Sequence, residues 1–344
     1  MMKKLFIRAD GNDKIGLGHI MRSMTIADEF RTHGFDCIFL SSQPINREIF
    51  DRYNFQFIEL PYPYNHKSVD EAIEIVGILD FYNADYILID SYFISNEYLS
   101  IIKNQFKVIC INSTNDWLNT DYLINENIAC DINYYKQLYL KSGTKLILGS
   151  TYSPIRREFV GAKYIVNPIV KNLLVTTGGG DQHNFMTSFL RMIKRETFFY
   201  NINITFVSGL CNPYLNELLK DAFGFKNVSI VSNAPNMAEL MKNSDIAISA
   251  GGTTVLELSA IGVPTLGIAV AKDQEAGLLF MGNAGIIKYI GKITNPNLMD
   301  NVVSCIYSML ENYEVRKKLS DISRKIIDGL GAERIYNQIE NKQT

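Results

Sequence analysis

Twice along its length the chain runs through the same order of parts: a short unbroken apolar run, a glycine turn, and a stretch of helical apolar spacing. The first pass is KKLFIRAD (residues 3–10), then Gly16 and Gly18, then residues 20–33 with Gly34 behind them. The second is NLLVTT (residues 172–177), then Gly178, Gly179 and Gly180, then residues 184–194. Apolar runs that do not alternate mark strands covered on both faces, which belong to parallel sheets. Parallel neighbours in turn require a crossover of a dozen or more residues, usually a helix. The constraint is severe: each half must be an α/β unit.

Further runs fit this frame. DCIFLSS (36–42), YILIDS (86–91), KVICIN (107–112) and YLINEN (122–127) extend the first half, and NITFVSG, VSIVSN, DIAISAGG and PTLGIA extend the second. Between them, around residues 147–168, the pattern loosens, and residues 298–341 read as mostly helical. At 344 residues the chain has length for two domains. The expected division is residues 1–160 and 161–344, the last helix packing back on the first domain. Ligands of such sheets bind beyond the carboxyl ends of the strands, so two facing sheets make a cleft between domains.

Composition narrows the partners. The net charge of -2 leaves no basic footprint for nucleic acid. No window approaches the ~18 apolar residues of a membrane span, and Arg8 and Asp10 interrupt the N-terminal apolar run before a signal peptide develops. A cytoplasmic protein without membrane insertion, a monomer or weak oligomer, is expected. The five cysteines (Cys37, Cys110, Cys130, Cys211, Cys305) have no CxxC spacing and read as reduced thiols. The four histidines show no zinc spacing, and GxSxG, P-loop and metal-triad motifs are absent.

Three glycine turns carry the chemistry. In GLGHIMRS (residues 16–23) the third glycine of a dinucleotide fingerprint is missing, and His19 stands in its neighbourhood. At a helix start, unpaired N–H groups and the dipole disfavour an imidazolium, so a neutral His19 can accept a proton; the plainer alternative is a histidine that merely begins a helix. Arg22 lies one turn along the same face and either binds an acidic group or is a solvated charge. In TTGGGDQHN (176–184), Asp181 can cap the following helix, and His183 reads as a surface group. In SDIAISAGGTTVLELSAIGVP (244–264), Gly251, Gly252, Thr253 and Thr254 open a helix bearing Glu257. Paired glycines and a helix N-terminus suit a diphosphate, with Glu257 on the ribose hydroxyls. Thr254 to Glu257 is also the spacing of a capping box.

Together these segments resemble the UDP-2,4-diacetamido-2,4,6-trideoxy-β-L-altropyranose hydrolase family of pseudaminic acid biosynthesis. The resemblance runs through RADGNDKIGLGHIMRS, LIDSY (88–92), LINEN (123–127), LGSTYSPIRREF (148–159), TGGGDQHN and AISAGGTTVLE. It implies a GT-B-like α/β fold of two facing Rossmann-like domains, related to glycosyltransferases that add N-acetylglucosamine to lipid II. It further implies inverting hydrolysis of a UDP-sugar to UDP and free sugar, serving surface-polysaccharide or flagellin glycosylation, without metal or cofactor. His19 would be the general base. Asp10, Gly16, Gly18, Arg22, Tyr92, Tyr152, Arg156, Gly179 and Asp181 would line the substrate, and Gly251, Gly252, Thr253, Thr254, Glu257, Asp273 and Gln274 would hold UDP. Two departures stand out: Asn112-Ser113 replaces an acidic pair common in the family, and Asp273-Gln274 replaces Asn-Gln. A GT-B glycosyltransferase with a UDP-sugar donor, or a non-catalytic nucleotide-sugar-binding protein, are the alternatives.

Overall fold

A computed structural model describes residues 2–12, 15–43, 47–112, 114–209 and 211–342. The chain divides into two compact units. The first takes Met1–Pro154 together with Leu330–Thr344, and the second Ile155–Gly329.

Seven strands build the first unit: β1 (Lys4–Ala9), β2 (Asp36–Gln43), β3 (Gln56–Pro63), β4 (Tyr86–Asp90), β5 (Lys107–Ile111), β6 (Tyr122–Asn125) and β7 (Lys145–Leu148). They pair in the order β3-β2-β1-β4-β5-β6-β7, every pairing parallel. The second unit has β8 (Asn172–Thr176), β9 (Asn203–Ser208), β10 (Val228–Ser232), β11 (Ile246–Ala250), β12 (Thr265–Ala269) and β13 (Lys288–Lys292). Their order, β10-β9-β8-β11-β12-β13, repeats that of the first six strands of unit one, again in parallel. This is the doubly wound arrangement, and in it the strand order reverses between β1 and β4 and between β8 and β11.

The central strands are the continuous apolar runs. In β1, β4 and β11 nearly every residue is buried, because helices cover both faces. Ile7, Leu88, Ile109 and Ile124 face one apolar layer with Ile20, Met24 and Ala27 of the helix Gly18–Thr32. Phe6, Ile87, Ile89 and Val108 face the other, with Ile75 and Leu79 of the helix Val69–Phe81. The final helix, Gly331–Ile339, lays Ile335, Tyr336 and Ile339 into the first layer. Its start approaches so closely that a Cβ at Gly331 would stand 2.1 Å from the Ser153 carbonyl oxygen. The second unit has its own core around Val175, Phe189, Phe206, Ile248 and Leu266.

The sequence pattern missed three strands: β3, β7 and β13. Each lies at the edge of its sheet. An edge strand is covered less completely: β3 and β13 carry polar, partly exposed residues, and β7 has only three apolar residues, Leu146 to Leu148, behind the partly exposed Lys145. Among the described residues no helix is long and apolar enough to cross a membrane, and none of the five cysteines is in a disulfide.

Candidate active site

In the first unit the candidate residues collect at the carboxyl ends of β1, β4, β6 and β7. Ala9, the last residue of β1, is in register with Asp90, the last of β4. The chain then turns through Gly11 and Gly16. Gly16 has φ +73°, a left-handed conformation natural to glycine, and Asn12 and Gly16 are bridged across the turn. Gly18 begins the helix with open space where a Cβ would lie, and His19 follows it.

His19 is only 5% exposed. Its Nδ1 lies 2.5 Å from Asp90 Oδ1. Two acceptors at that separation would repel, so Nδ1 carries the hydrogen and donates to the carboxylate; in the neutral ring Nε2 is then left with the lone pair. Arg22 donates from Nε to Asp90 Oδ2 and from Nη2 to Oδ1, both at 2.6 Å. Ser23 Oγ donates to Oδ2 at 3.2 Å. Asp90 therefore accepts four hydrogen bonds, the full capacity of a carboxylate. Burial opposes its ionisation, but Arg22 and His19 outweigh burial and hold the carboxyl well below the usual range. The Tyr92 ring meets the imidazole edge-on at 4.4 Å, and Tyr152 packs against the neighbouring core.

Arg22 is committed at its other end as well, where Nη1 donates to Glu126 Oε1 at 2.8 Å. It is thus a clamp between two carboxylates rather than a solvated charge. Asp10 also lies inside, 3% exposed. It accepts Arg8 Nη1 at 2.6 Å, Lys67 Nζ at 2.9 Å and the Ser42 amide at 2.8 Å. Burial pushes the Asp10 carboxyl up, but Arg8 and Lys67 bring it below its ordinary value. Arg8 in turn donates to Glu71 Oε1 at 2.7 Å. Two cations and two carboxylates make this buried network neutral, and it ties the ends of β1 and β2 to the start of the helix Val69–Phe81. Asn112 lies at the end of β5 and holds Thr114 through its amide; Ser113 lies outside the described residues.

The second unit places its candidates around the matching reversal, after β8 and β11. Gly178 has φ +80°, and a Cβ there would lie 3.9 Å from Thr254 Oγ1, so the two glycine turns adjoin. Gly209 supports the first turn from below: a Cβ on it would fall 2.4 Å from the carbonyl oxygens of Gly178 and Gly179. Asp181 is a helix cap. Its carboxylate oxygens accept the Phe185 and Met186 amides at 2.9 and 2.8 Å, while burial, stronger than these bonds, keeps its carboxyl above the ordinary range. His183 is exposed, with Nε2 3.1 Å from the Val270 carbonyl oxygen.

Gly252, at φ +113°, precedes the helix Thr253–Ile261, whose first turn has no side-chain cap. Its leading N–H groups are therefore open to an anion. Glu257 does not reach back as in a capping box; its Oε1 accepts Arg156 Nε at 2.9 Å. Two candidates 101 residues apart in sequence thus meet. Glu257 is 5% exposed, and burial raises its carboxyl despite Arg156. Arg156 also pairs with Glu158 and lies over the Phe159 ring. Gln274 packs on Gly251, where a Cβ would come within 2.7 Å of it, and accepts the Val270 amide. Asp273 is exposed at the start of the same helix.

Sequence reasoning missed Asp90 and Glu126 as site residues, although both lie in quoted segments. Their one available signal is position: Asp90 ends a buried strand, and Glu126 follows another by one residue.

Comparison with known proteins agrees with this architecture. Residues 172–324 match the Glycosyltransferase family 28 C-terminal domain. The chain is 24% identical over 286 residues to UDP-2,4-diacetamido-2,4,6-trideoxy-beta-L-altropyranose hydrolase of Campylobacter jejuni, covering 83% of this chain and 97% of that protein. It is 25% identical over 340 residues to spore coat polysaccharide biosynthesis protein SpsG of Bacillus subtilis, covering 96% and 95%. An uncharacterised protein of Methanocaldococcus jannaschii is 26% identical over 277 residues, 76% of this chain but only 55% of that protein's length. Among solved structures, the S. aureus MnaA–UDP co-structure superposes with a TM-score of 0.66 at 13% identity, over 99% of this chain and 98% of that one. Acinetobacter baumannii MurG gives 0.65 at 12%, over 99% and 100%. The fold is GT-B-like, two Rossmann-like domains of seven and six parallel strands.

Proposed function

We propose that this protein hydrolyses a UDP-linked 2,4-diacetamido-2,4,6-trideoxy-hexose to UDP and the free sugar, a step of nonulosonic (pseudaminic) acid biosynthesis. The observation that carries the proposal is the buried His19–Asp90 pair, which leaves Nε2 as the proton acceptor. The name of the Campylobacter jejuni relative supplies the substrate class. Water attacks the anomeric carbon and gives its proton to His19 Nε2. The bond from that carbon to the phosphate oxygen breaks, and its electron pair leaves with UDP. A single displacement inverts the anomeric centre.

Asp90 holds the imidazole in one tautomer and stabilises the imidazolium that forms, the role a buried carboxylate has beside a catalytic histidine. Arg22 orients Asp90. The nucleotide belongs to the second unit: the open N–H groups at Thr253 and Thr254 meet the diphosphate, where charge develops on departure, and Glu257 meets the ribose hydroxyls. Asp10 and Asp181, with their oxygens already engaged, shape backbone rather than touch sugar. The test is UDP release from the UDP-sugar by purified protein, with and without an added sugar or lipid acceptor. Release in water alone, abolished in His19→Ala, supports hydrolysis; release that requires an acceptor supports a transferase, the reading that the family 28 domain favours. Tight UDP binding without turnover would leave a binding protein.

A further inference from the structure

Taking His19 as the base of the proposed hydrolysis, we infer that Glu126 is a positioning residue whose negative charge, acting through Arg22, keeps Asp90 effective toward His19. The problem it solves is visible in the geometry. Arg22 grips both oxygens of Asp90 at 2.6 Å, and its Nη2 stands 3.1 Å from His19 Nδ1. Seen from the imidazole, Asp90 Oδ1 at 2.5 Å is nearer than the guanidinium, but Arg22 offsets part of its charge and is a like charge once the ring is protonated. An ion pair of this kind orients His19 but gives the proton it must accept less help than a lone carboxylate would.

Glu126 changes the balance. Its Oε1 lies 2.8 Å from Arg22 Nη1, at the end of the guanidinium turned away from Asp90. Its Oε2 is buried and has no hydrogen-bond partner, so no second donor dilutes the carboxylate's charge. Its backbone is fixed too, since Ser153 Oγ donates to the Glu126 carbonyl at 3.0 Å. The groups facing the imidazole are Asp90 and Tyr92 from β4 and the turn after it, Arg22 and Ser23 from its own helix, and Glu126 beyond Arg22. With a neutral ring their formal charges, one positive and two negative, leave -1; the proton taken from water brings the cluster to zero. In a site shielded from water such compensation acts strongly. Glu126 touches no reacting atom and works only through Arg22.

Glu126→Gln, Glu126→Asp and wild type are compared by steady-state kinetics on the UDP-sugar and by side-chain 15N spectra of histidine-labelled protein, with His19 assigned from His19→Ala. The inference expects Glu126→Gln to lower kcat roughly tenfold, a part of what general-base catalysis supplies, while KM stays within about twofold. It also expects a smaller imidazolium fraction of His19 in Glu126→Gln than in wild type at the same pH, and recovery of most of both readouts in Glu126→Asp, which keeps the charge. Wild-type kcat and unchanged His19 signals in Glu126→Gln would overturn it. So would a folded Glu126→Asp that falls roughly tenfold below wild type in kcat and loses His19 imidazolium, a comparison with wild type that stands even if Glu126→Gln fails to fold. The spectra do not depend on turnover: a shifted His19 in a protein that releases no UDP upholds the role of Glu126 and removes hydrolysis, whereas turnover with unshifted spectra does the reverse.

Discussion

The two units share one strand order and one point of reversal, yet the reversal is furnished in opposite ways. After β1 and β4 stand His19, Arg22 and Asp90, with Glu126 behind them, an imidazole set against ionised side chains that hydrogen-bond one another. After β8 and β11 stand Gly178, Gly251 and Gly252, glycine backbone and an uncapped helix start, with Gln274 against Gly251 and Glu257 held by Arg156. The lesson is that a doubly wound sheet decides where a site lies and nothing about its chemistry. Under the proposed function, side chains serve the first as a proton acceptor, and bare backbone serves the second as a cradle for a group that brings its own charge. Even the carboxylates at the two reversals differ in sense: Asp90 and Asp10 of the first unit are held down by cations, and Glu257 and Asp181 of the second are pushed up by burial.

Substitutions can break this contrast. The largest effect belongs to His19→Ala, which should lower kcat by about 10²–10⁴-fold, the worth of a positioned base, yet leave UDP affinity unchanged by calorimetry because the proposed nucleotide site is in the other unit. Asp90→Asn should follow with a loss of about 10²-fold in kcat, since the amide can present a donor where His19 Nδ1–H needs an acceptor; 15N spectra should report a changed tautomer. In the second unit the signature reverses. Gly251→Ala forces a Cβ into Gln274 and should weaken UDP binding about tenfold or more by calorimetry, with the His19 spectrum untouched. Glu257→Gln should weaken it by a similar factor, as loss of a charged hydrogen-bond acceptor costs about 1.5–3 kcal/mol.

The smallest effect is in acid, and its sign should differ between the units. Asp10 and Asp90 have lowered folded values, so the unfolded chain binds their protons first. The stability they contribute is present above the ordinary value of about 3.9 and is lost as pH falls through their folded values. Asp181 and Glu257 have raised folded values; the native state binds their protons first, so their contribution to stability improves as pH falls towards about 4. The sole tryptophan, Trp117, lies in the first unit. Thermal melting followed by its fluorescence should therefore fall earlier on acidification below about pH 4 than melting followed by amide exchange in β8 and β11. Parallel decline in both would erase the contrast.

How much of this was legible depended on how locally each feature is encoded. The central strands announced themselves because two covering layers demand apolar residues without interruption; of the four edge strands only β10 was read, and β3, β7 and β13 were not, because an edge makes no such demand. His19 and the turns at Gly178 and Gly251 could be singled out, since a glycine turn and the helix behind it are neighbours in sequence. Glu257 illustrates the limit. Its spacing from Thr254 fitted a capping box, and its partner proved to be Arg156, from the far side of the unit's sequence.

The sequence by itself determined the two parallel α/β units, the loops that carry chemistry, and the residue types on them, since all of these follow from short-range pattern and strand burial. Tertiary structure alone decided the pairings. Asp90 is 71 residues from His19, and Glu126 is 104 from Arg22; each comes from the end of a different strand. Which strand ends lie side by side is a property of sheet order, and sheet order is set by crossovers between distant segments. That is why the histidine could be read from the chain, while the carboxylate that orients it had to be seen.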